Sequence, residues 1–335
     1  MHKLCRELCQ PELNGRFTVA GDDFILGGKI GDGAAGLVRK AKRIKDDFPF
    51  AVKFLAPDPK YIEEAVFDDV AARFRREGER GAALRHEHLL AIYSYCENLN
   101  GDCFDKKNPA NPFLLMEYIH GRTLEDHIQK EYDENGGFAI TRQKLHIAIQ
   151  IACALEDLHK KKLIHRDVKP ANIFISKGLS IYPLVKLGDF GIMKWGDFQS
   201  SLTTGNLTSL HHQGLGTLKY MSPEQAIAPA DVSVRSDMFS FGVTLFELFG
   251  SKIHAGPHNV FEVMFARLAK GNTFSRFHSL NYSLSDEDAT IAGLILDMHL
   301  RGVAGRPTIV KLRGSLEWEY ERRYDTQWRT DCEGY

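Results

Sequence analysis

Along residues 22–118 the apolar positions come in short runs. Phe24 to Leu26, Leu37 to Ala41 and Phe50 to Leu55 are set apart by a glycine cluster and polar turns, which reads as strand, turn, strand, strand. From Tyr61 to Leu90 the spacing changes. Val66, Val70 and Phe74 recur at helical intervals among many charges and predict an exposed amphipathic helix. Leu89 to Cys96 and Phe113 to Tyr118 are again of strand length, flanking a polar loop with Asn108-Pro109 and Asn111-Pro112. The sum is a five-stranded sheet with one helix.

Beyond Gly121 the pattern is helical. Thr141 to Lys160 places Leu145, Ile149, Ala152 and Leu155 on one face, while Phe239 to Phe249 is apolar nearly all round, as in a buried helix. Asn259 to Lys270, Asp286 to Leu300 and Ile309 to Arg322 complete the set. We therefore expect an α+β chain: a small β-rich lobe at 22–118, a crossover near Glu117 to Gly121, and a larger α-helical lobe at 119–325. An N-terminal extension (1–21) and a C-terminal tail (326–335) flank them.

Composition narrows the classes. In 335 residues, 43 Lys and Arg face 44 Asp and Glu, a net charge of -1 that gives no footing for binding nucleic acid or an anionic membrane. The most apolar window, Met238 to Gly250, carries Glu247 and is too short to span a bilayer. The first 15 residues lack the apolar run of a secretory signal, so the expected compartment is the cytoplasm. Cys5, Cys9, Cys96, Cys103, Cys153 and Cys332 are scattered and read as reduced thiols. Cys5 and Cys9 could share a helical face with a metal, but no second pair completes a site.

Three motifs carry chemistry. Gly31-Asp32-Gly33-Ala34-Ala35-Gly36 is by itself a dinucleotide turn, a phosphate loop or a plain hairpin. Its flanks are both strands, not strand and helix, which argues against the dinucleotide fingerprint. Lys53, alone in the apolar run Phe50 to Leu55, is either a snorkelling edge residue or an ammonium that holds phosphate oxygens beside a carboxylate. Glu77 is a candidate partner, although Glu63, Glu64 and Glu79 are near it in sequence. The third element is Ile164-His165-Arg166-Asp167-Val168-Lys169-Pro170-Ala171-Asn172 with Lys186-Leu187-Gly188-Asp189-Phe190-Gly191. A carboxylate and an amide oxygen can hold Mg²⁺, a second carboxylate can orient an attacking hydroxyl, and a lysine can neutralise charge on a transferred phosphoryl group.

With these residues the chain resembles the protein kinase family over about residues 22 to 322. The resemblance implies the two-lobed protein-kinase fold and an ATP-dependent phosphotransferase using Mg²⁺, or Mn²⁺ in its place. By it, Gly31, Gly33 and Gly36 cover the ATP phosphates, Lys53 reaches the α- and β-phosphates and Glu77 pairs with Lys53. Asp167 is the catalytic base, Lys169 assists it, and Asn172 and Asp189 are the metal ligands. Glu117 and Ile119 present backbone groups to adenine, Met116 is the gatekeeper, Phe174 forms the pocket floor, and Ile30, Val38 and Ala51 line its roof. Asp237 supports the catalytic-loop backbone, Arg306 pairs with Glu224, and Gly216 to Glu224 ends the activation segment, with Ser222 where alanine is commoner.

Lys169 and Thr217 resemble serine/threonine members, and Ser222-Pro223-Glu224-Gln225-Ala226 with Arg235-Ser236-Asp237 resembles bacterial Hanks-type kinases. Many of those carry a membrane span and outer domains; this chain shows neither, so a stand-alone catalytic domain is expected. The implied partners are proteins with Ser or Thr acceptors, this chain included, and neither nucleic acid nor membrane. A pseudokinase scaffold would be favoured by loss of the base or a metal ligand, and none is lost. A small-molecule kinase sits poorly with Lys169-Pro170 and Thr217 to Glu224.

Departures from the family pattern add expectations. The hairpin is lengthened by Lys177 to Pro183, and the long segment from Asp189 to Glu224 offers Ser200, Ser201, Thr203, Thr204, Thr208 and Ser209 as phosphorylation sites that could pair with Arg166. Thr123 and Ala171 stand where basophilic members carry acids, so no strong preference for upstream arginine is expected. Glu125, Asp126, Glu131, Asp133 and Glu134 read as a solvated helix face. Gly81 lies one turn after Glu77, where family members place a larger apolar residue. With so little packing there, the helix is expected to rest outward, Lys53 and Glu77 apart, until a partner or a second copy of the chain in a dimer pushes it in.

Overall fold

A computed structural model of the protein describes residues 15–33, 36–55, 67–96, 112–135, 140–177, 182–189, 219–227, 231–250, 289–300 and 303–329. They fall into two units. One holds the described residues up to 85 and those at 90–118; the other holds 86–89 and those from 119 onward.

The first unit is an antiparallel sheet of β1 (Arg16–Val19), β2 (Asp22–Gly33), β3 (Gly36–Arg43), β4 (Pro49–Leu55), β5 (Ile92–Cys96) and β6 (Phe113–Glu117). Helix α1 (Phe67–Ala82) precedes β5 in the chain. The strand order is β1-β2-β3-β4-β6-β5, six strands where the apolar runs led us to five. The extra strand, β1, lies within residues 1–21. In β1 only Phe17 and Val19 are apolar, too short a run to announce itself, but Ala20 and Gly21 both have positive φ (50° and 84°), and this two-residue loop folds β1 back on β2. Phe17 then stacks on Phe24 (centroids 5.2 Å apart) and meets Phe113 edge-on at 5.7 Å. The sheet thus curls around an aromatic core that also contains Phe50, Phe54, Val52 and Leu115.

The second unit contains β7 (Gly121–Thr123), α2 (Leu124–Asn135), α3 (Arg142–Lys160), β8 (Ile173–Ser176), β9 (Val185–Leu187), α4 (Pro223–Ile227), α5 (Val234–Gly250), α6 (Ala289–Leu300) and α7 (Ile309–Tyr324). Strands β7, β8 and β9 form a small antiparallel sheet. Helix α3 is buried along most of its length, with α7, α5 and β9 packed on it. Its start is fixed by Thr141, whose side chain accepts from Lys144 N at 3.3 Å; Thr308 does the same for α7. Helix α5 begins five residues before Phe239, taking Ser236 and Asp237 into its first turns. The helix expected at Asn259 to Lys270, the six Ser and Thr sites at 200–209, and Cys5 and Cys9 lie outside the described residues. Among the described residues no helix is long and apolar enough to cross a membrane.

Residues 86–89 are tied to this unit by Leu187 N donating to His88 O (2.9 Å) and by the His88 ring, whose Nδ1 lies 3.2 Å from Val185 O. Trp328 closes over the histidines His88 and His146, at centroid distances of 6.3 and 5.7 Å. Burial, reinforced by His86, lowers the pKa of His88 from 6.5 to about 4. The folded state therefore binds fewer protons than the unfolded state between these values. The stabilisation, about 3 kcal/mol, is present above about pH 6.5 and lost as the pH falls to about 4. Denaturant midpoints measured across that range should fall with acidity, and His88→Gln should make the slope shallower.

Candidate active site

In the first unit the site residues are set by register. Gly31 pairs with Val38, Val38 with Lys53 and Lys53 with Leu114; in the next row Lys40 pairs with Ala51, Ala51 with Met116 and Met116 with Ile92. Residues opposite one another share a face, as do residues two apart, so Val38, Ala51, Lys53, Leu114 and Met116 stand on one side of the sheet. The aromatic core occupies the other. Ile30 is exposed at an irregular point of β2, where the register shifts on either side of Lys29. A Cβ on Gly31 would meet only Val38, at an ordinary 3.6 Å, so internal packing does not require glycine there. The loop tip, Ala34-Ala35, lies outside the described residues.

Lys53 Nζ lies 3.6 Å from Glu77 Oε1, and both side chains are buried. The outward helix expected from Gly81 is therefore corrected. The missing side chain leaves no gap, because Ile92 of β5 fills the space against Gly81, while Leu114 and Tyr95 press on Gly78. Glu117 closes the end of β6. Its backbone N–H donates to Ala91 O (2.9 Å) and its Oε2 accepts from Ala91 N (3.1 Å). Ile119 belongs to the second unit and is half-buried.

The second unit holds the other candidates on loops braced by α5. Asp237, with no solvent exposure, accepts from His165 N (2.9 Å), Arg166 N (2.8 Å) and His159 Nε2 (2.8 Å). These bonds fix Arg166 in a left-handed conformation (φ 67°) that a non-glycine residue adopts only at a cost. His165 Nδ1 accepts from Asp167 N (3.3 Å), which makes Nε2 the donor to Gly188 O (3.1 Å). That neutral tautomer agrees with the ring's lowered pKa, caused by complete burial. Asn172 Nδ2 donates to both Asp167 O (2.8 Å) and Asp167 Oδ2 (2.6 Å), and Lys169 Nζ lies 3.3 Å from the same Oδ2. Gly188 N donates to Asn172 O (2.9 Å), so Asp189, exposed and at φ 59°, follows directly on the Asn172 backbone. Phe174 is half-buried on β8.

These donors suit a hard divalent cation. With Nδ2 committed to Asp167, Asn172 has its amide oxygen to offer a cation, and the Asp189 carboxylate could supply a second oxygen. Two protein donors match an ion such as Mg²⁺, which keeps waters and phosphate oxygens in its remaining positions. Among the described residues no group of three or more His, Cys, Asp or Glu is placed to hold a metal ion of any kind.

Segment 219–227 is anchored by buried charge. Arg306 grips Glu224 through two bonds (2.5 and 3.0 Å), and Ser236 Oγ donates to Glu224 Oε1 (2.7 Å). Burial alone would raise the Glu224 pKa, but the Arg306 bonds outweigh it and hold the carboxyl below its ordinary range. Gln225 Nε2 donates to Arg166 O (3.1 Å), linking α4 to the loop. One anchor went unread in the sequence: Glu247, fully buried on α5, accepts from Lys219 Nζ (2.9 Å) and Tyr220 Oη (2.6 Å). An acidic residue inside the apolar window Met238 to Gly250 was the available signal, since such a charge must find a partner.

Comparison with known proteins shows the family and the fold. The family pattern described as protein kinase domain matches residues 24–312. Serine/threonine-protein kinase PknB of Mycolicibacterium smegmatis is 34% identical over 231 residues, 68% of this chain and 32% of its own. PknB of Mycobacterium tuberculosis is 33% identical over 233 residues, with the same shares. The chain spans about a third of the length of these relatives. A double mutant of the Mycobacterium tuberculosis PknI kinase domain superposes with a TM-score of 0.60 at 22% identity, covering 90% of this chain and 97% of that one, a likeness of fold. The chain belongs to the protein kinase family, of the Hanks type, and has the β-sheet and helical lobes of that fold.

Arg306→Met would leave Glu224 buried without its cation. The expected loss is about 3–5 kcal/mol in denaturant unfolding, with part of it recovered in the Glu224→Gln/Arg306→Met double variant.

Proposed function

We propose that this chain transfers the γ-phosphoryl group of ATP to serine and threonine hydroxyls of proteins, itself included. The observation that carries the reading is the Asp167 carboxylate held at one oxygen by Asn172 Nδ2 (2.6 Å) and Lys169 Nζ (3.3 Å), on a loop braced by Asp237. Held there, Asp167 orients an incoming hydroxyl and accepts its proton. Lys169 offsets charge on the phosphoryl oxygens, and Lys53, steadied by Glu77, holds the α- and β-phosphates. Gly31, Gly33 and Gly36 let backbone N–H groups approach the phosphates. The freedom around Gly31 supports this, because packing gives no other reason for a glycine.

Val38, Ala51 and Met116 share the face of Lys53 and would hold the adenine ring with Ile30 and Phe174, while Glu117 and Ile119 offer it backbone groups. Asn172 and Asp189 would hold Mg²⁺, or Mn²⁺ in its place, which when bound screens the phosphate charge. A reducing, cytoplasmic setting fits Cys96 and Cys153, both free thiols; burial pushes Cys153 up to about 11 and makes it unreactive.

The test is transfer from labelled ATP with Mg²⁺, followed by mass spectrometry of the modified residues. Phosphoserine or phosphothreonine should appear, and Asp167→Asn should slow it by about 10²–10⁴-fold. Asp189→Asn should abolish it through loss of the metal. Nucleotide binding without transfer to any protein hydroxyl would sink the reading in favour of a scaffold.

A further inference from the structure

Helix α1 carries two glycines on the side that meets the sheet. Phe74, Gly78 and Gly81 follow one another at intervals of four and three residues and so share a face. Phe74 is fully buried, its ring 6.3 Å from that of Tyr95. Neither glycine has a positive φ, so neither is present for backbone freedom, and glycine weakens a helix relative to alanine. What these positions supply is space. A Cβ at Gly78 would stand 2.5 Å from Leu114 Cδ2 and 2.8 Å from Tyr95 Cβ, and one at Gly81 would stand 2.4 Å from Ile92 Cδ1. Carbon atoms rest at roughly 3.5–4.0 Å, so a methyl group at Gly78, facing the fixed Tyr95 Cβ, requires the helix to lift by about an ångström, whereas one at Gly81 is met by that lift or by a shift of the Ile92 side-chain end.

That lift falls where it matters. Leu114, the residue Gly78 rests on, is the cross-strand partner of Lys53, and Glu77 is the residue next to Gly78. At 3.6 Å the Lys53–Glu77 ion pair is already long. We infer that Gly78 and Gly81 are positioning residues, whose missing side chains set α1 at the height over the sheet where Glu77 meets Lys53. The inference rests on the reading that Lys53 and Glu77 serve the nucleotide phosphates. It also means that internal packing of the first unit seats the helix. The two contacts differ in kind: Ile92 Cδ1 ends a flexible side chain, whereas Tyr95 Cβ is fixed to its backbone. Gly78→Ala is therefore the harsher change.

The experiment compares turnover, KM for ATP and thermal midpoint in the full chain carrying Gly78→Ala, Gly81→Ala, Ile92→Val, the last two together, and Gly81→Ala in a Glu77→Gln background. Gly78→Ala should cut kcat/KM by up to about 10²-fold, the scale of an ångström misplacement at a reacting centre, and Gly81→Ala, eased by the flexible end of Ile92, by less. Ile92→Val, which removes the clashing atom, should stay near the parent alone and restore most of the activity when combined with Gly81→Ala. If Gly81 acts through Glu77, Gly81→Ala should add little once Glu77 is glutamine. Should Gly81→Ala alone fail to fold, the pair with Ile92→Val carries the test, and it must be active. An equal loss with and without Glu77, no loss at all, or no recovery with Ile92→Val overturns the inference while leaving the site reading standing. Unchanged transfer in Lys53→Met and Glu77→Gln would instead overturn the site reading, and the inference with it.

Discussion

A carboxylate removed from water must be met by donors, and this requirement organises both units. Asp237 and Glu247 on α5 and Glu319 on α7 have no exposure, and Glu77 and Glu224 are nearly as deep. Left unpaired, each would cost far more than any single packing contact returns. Asp237 therefore draws in the backbone of His165 and Arg166 and the ring of His159, Glu247 draws in Lys219 and Tyr220, and Glu224 draws in Arg306 and Ser236. The chain path around α5 follows from satisfying these groups.

The same bonds explain how loops present chemistry without being loose. The loop carrying Asp167, Lys169 and Asn172 takes a left-handed turn at Arg166, a conformation that needs outside support. Asp237 supplies it from below, and Gln225 holds the Arg166 carbonyl from α4. Neutral His165, bonded at both nitrogens, ties the loop to Gly188 and hence to the approach to Asp189. Rigid placement of this kind lets a few polar side chains act together.

In the first unit the organising fact is the two-sidedness of the sheet. Phenylalanines fill one face and close it by curling, which frees the other to carry Lys53 among small and medium apolar residues under α1. Lys53 avoids an unpaired burial because Glu77 comes down to it, and the helix comes down because glycine occupies the contact positions. Packing and charge pairing depend on each other here.

The sequence by itself determined the strands and long helices whose periodicity is strong, and it determined which polar side chains the loop brings together. Asp167, Lys169 and Asn172 lie within one short turn, where chain connectivity already keeps them close. Strand β1 escaped notice because two apolar residues make no pattern, and its turn is legible only as a pair of positive φ angles. Sequence spacing does not encode which distant charges meet: Glu224 with Arg306 was expected only through the family resemblance, and Glu247 with Lys219 was left to the tertiary structure. Gly81 marks the limit. In the sequence it is a missing side chain and suggests a loose helix, whereas in the fold Ile92 fills the space and makes the contact tight. The height of a helix over a sheet depends on which atoms collide, and only the assembled structure shows what stands opposite an absent side chain.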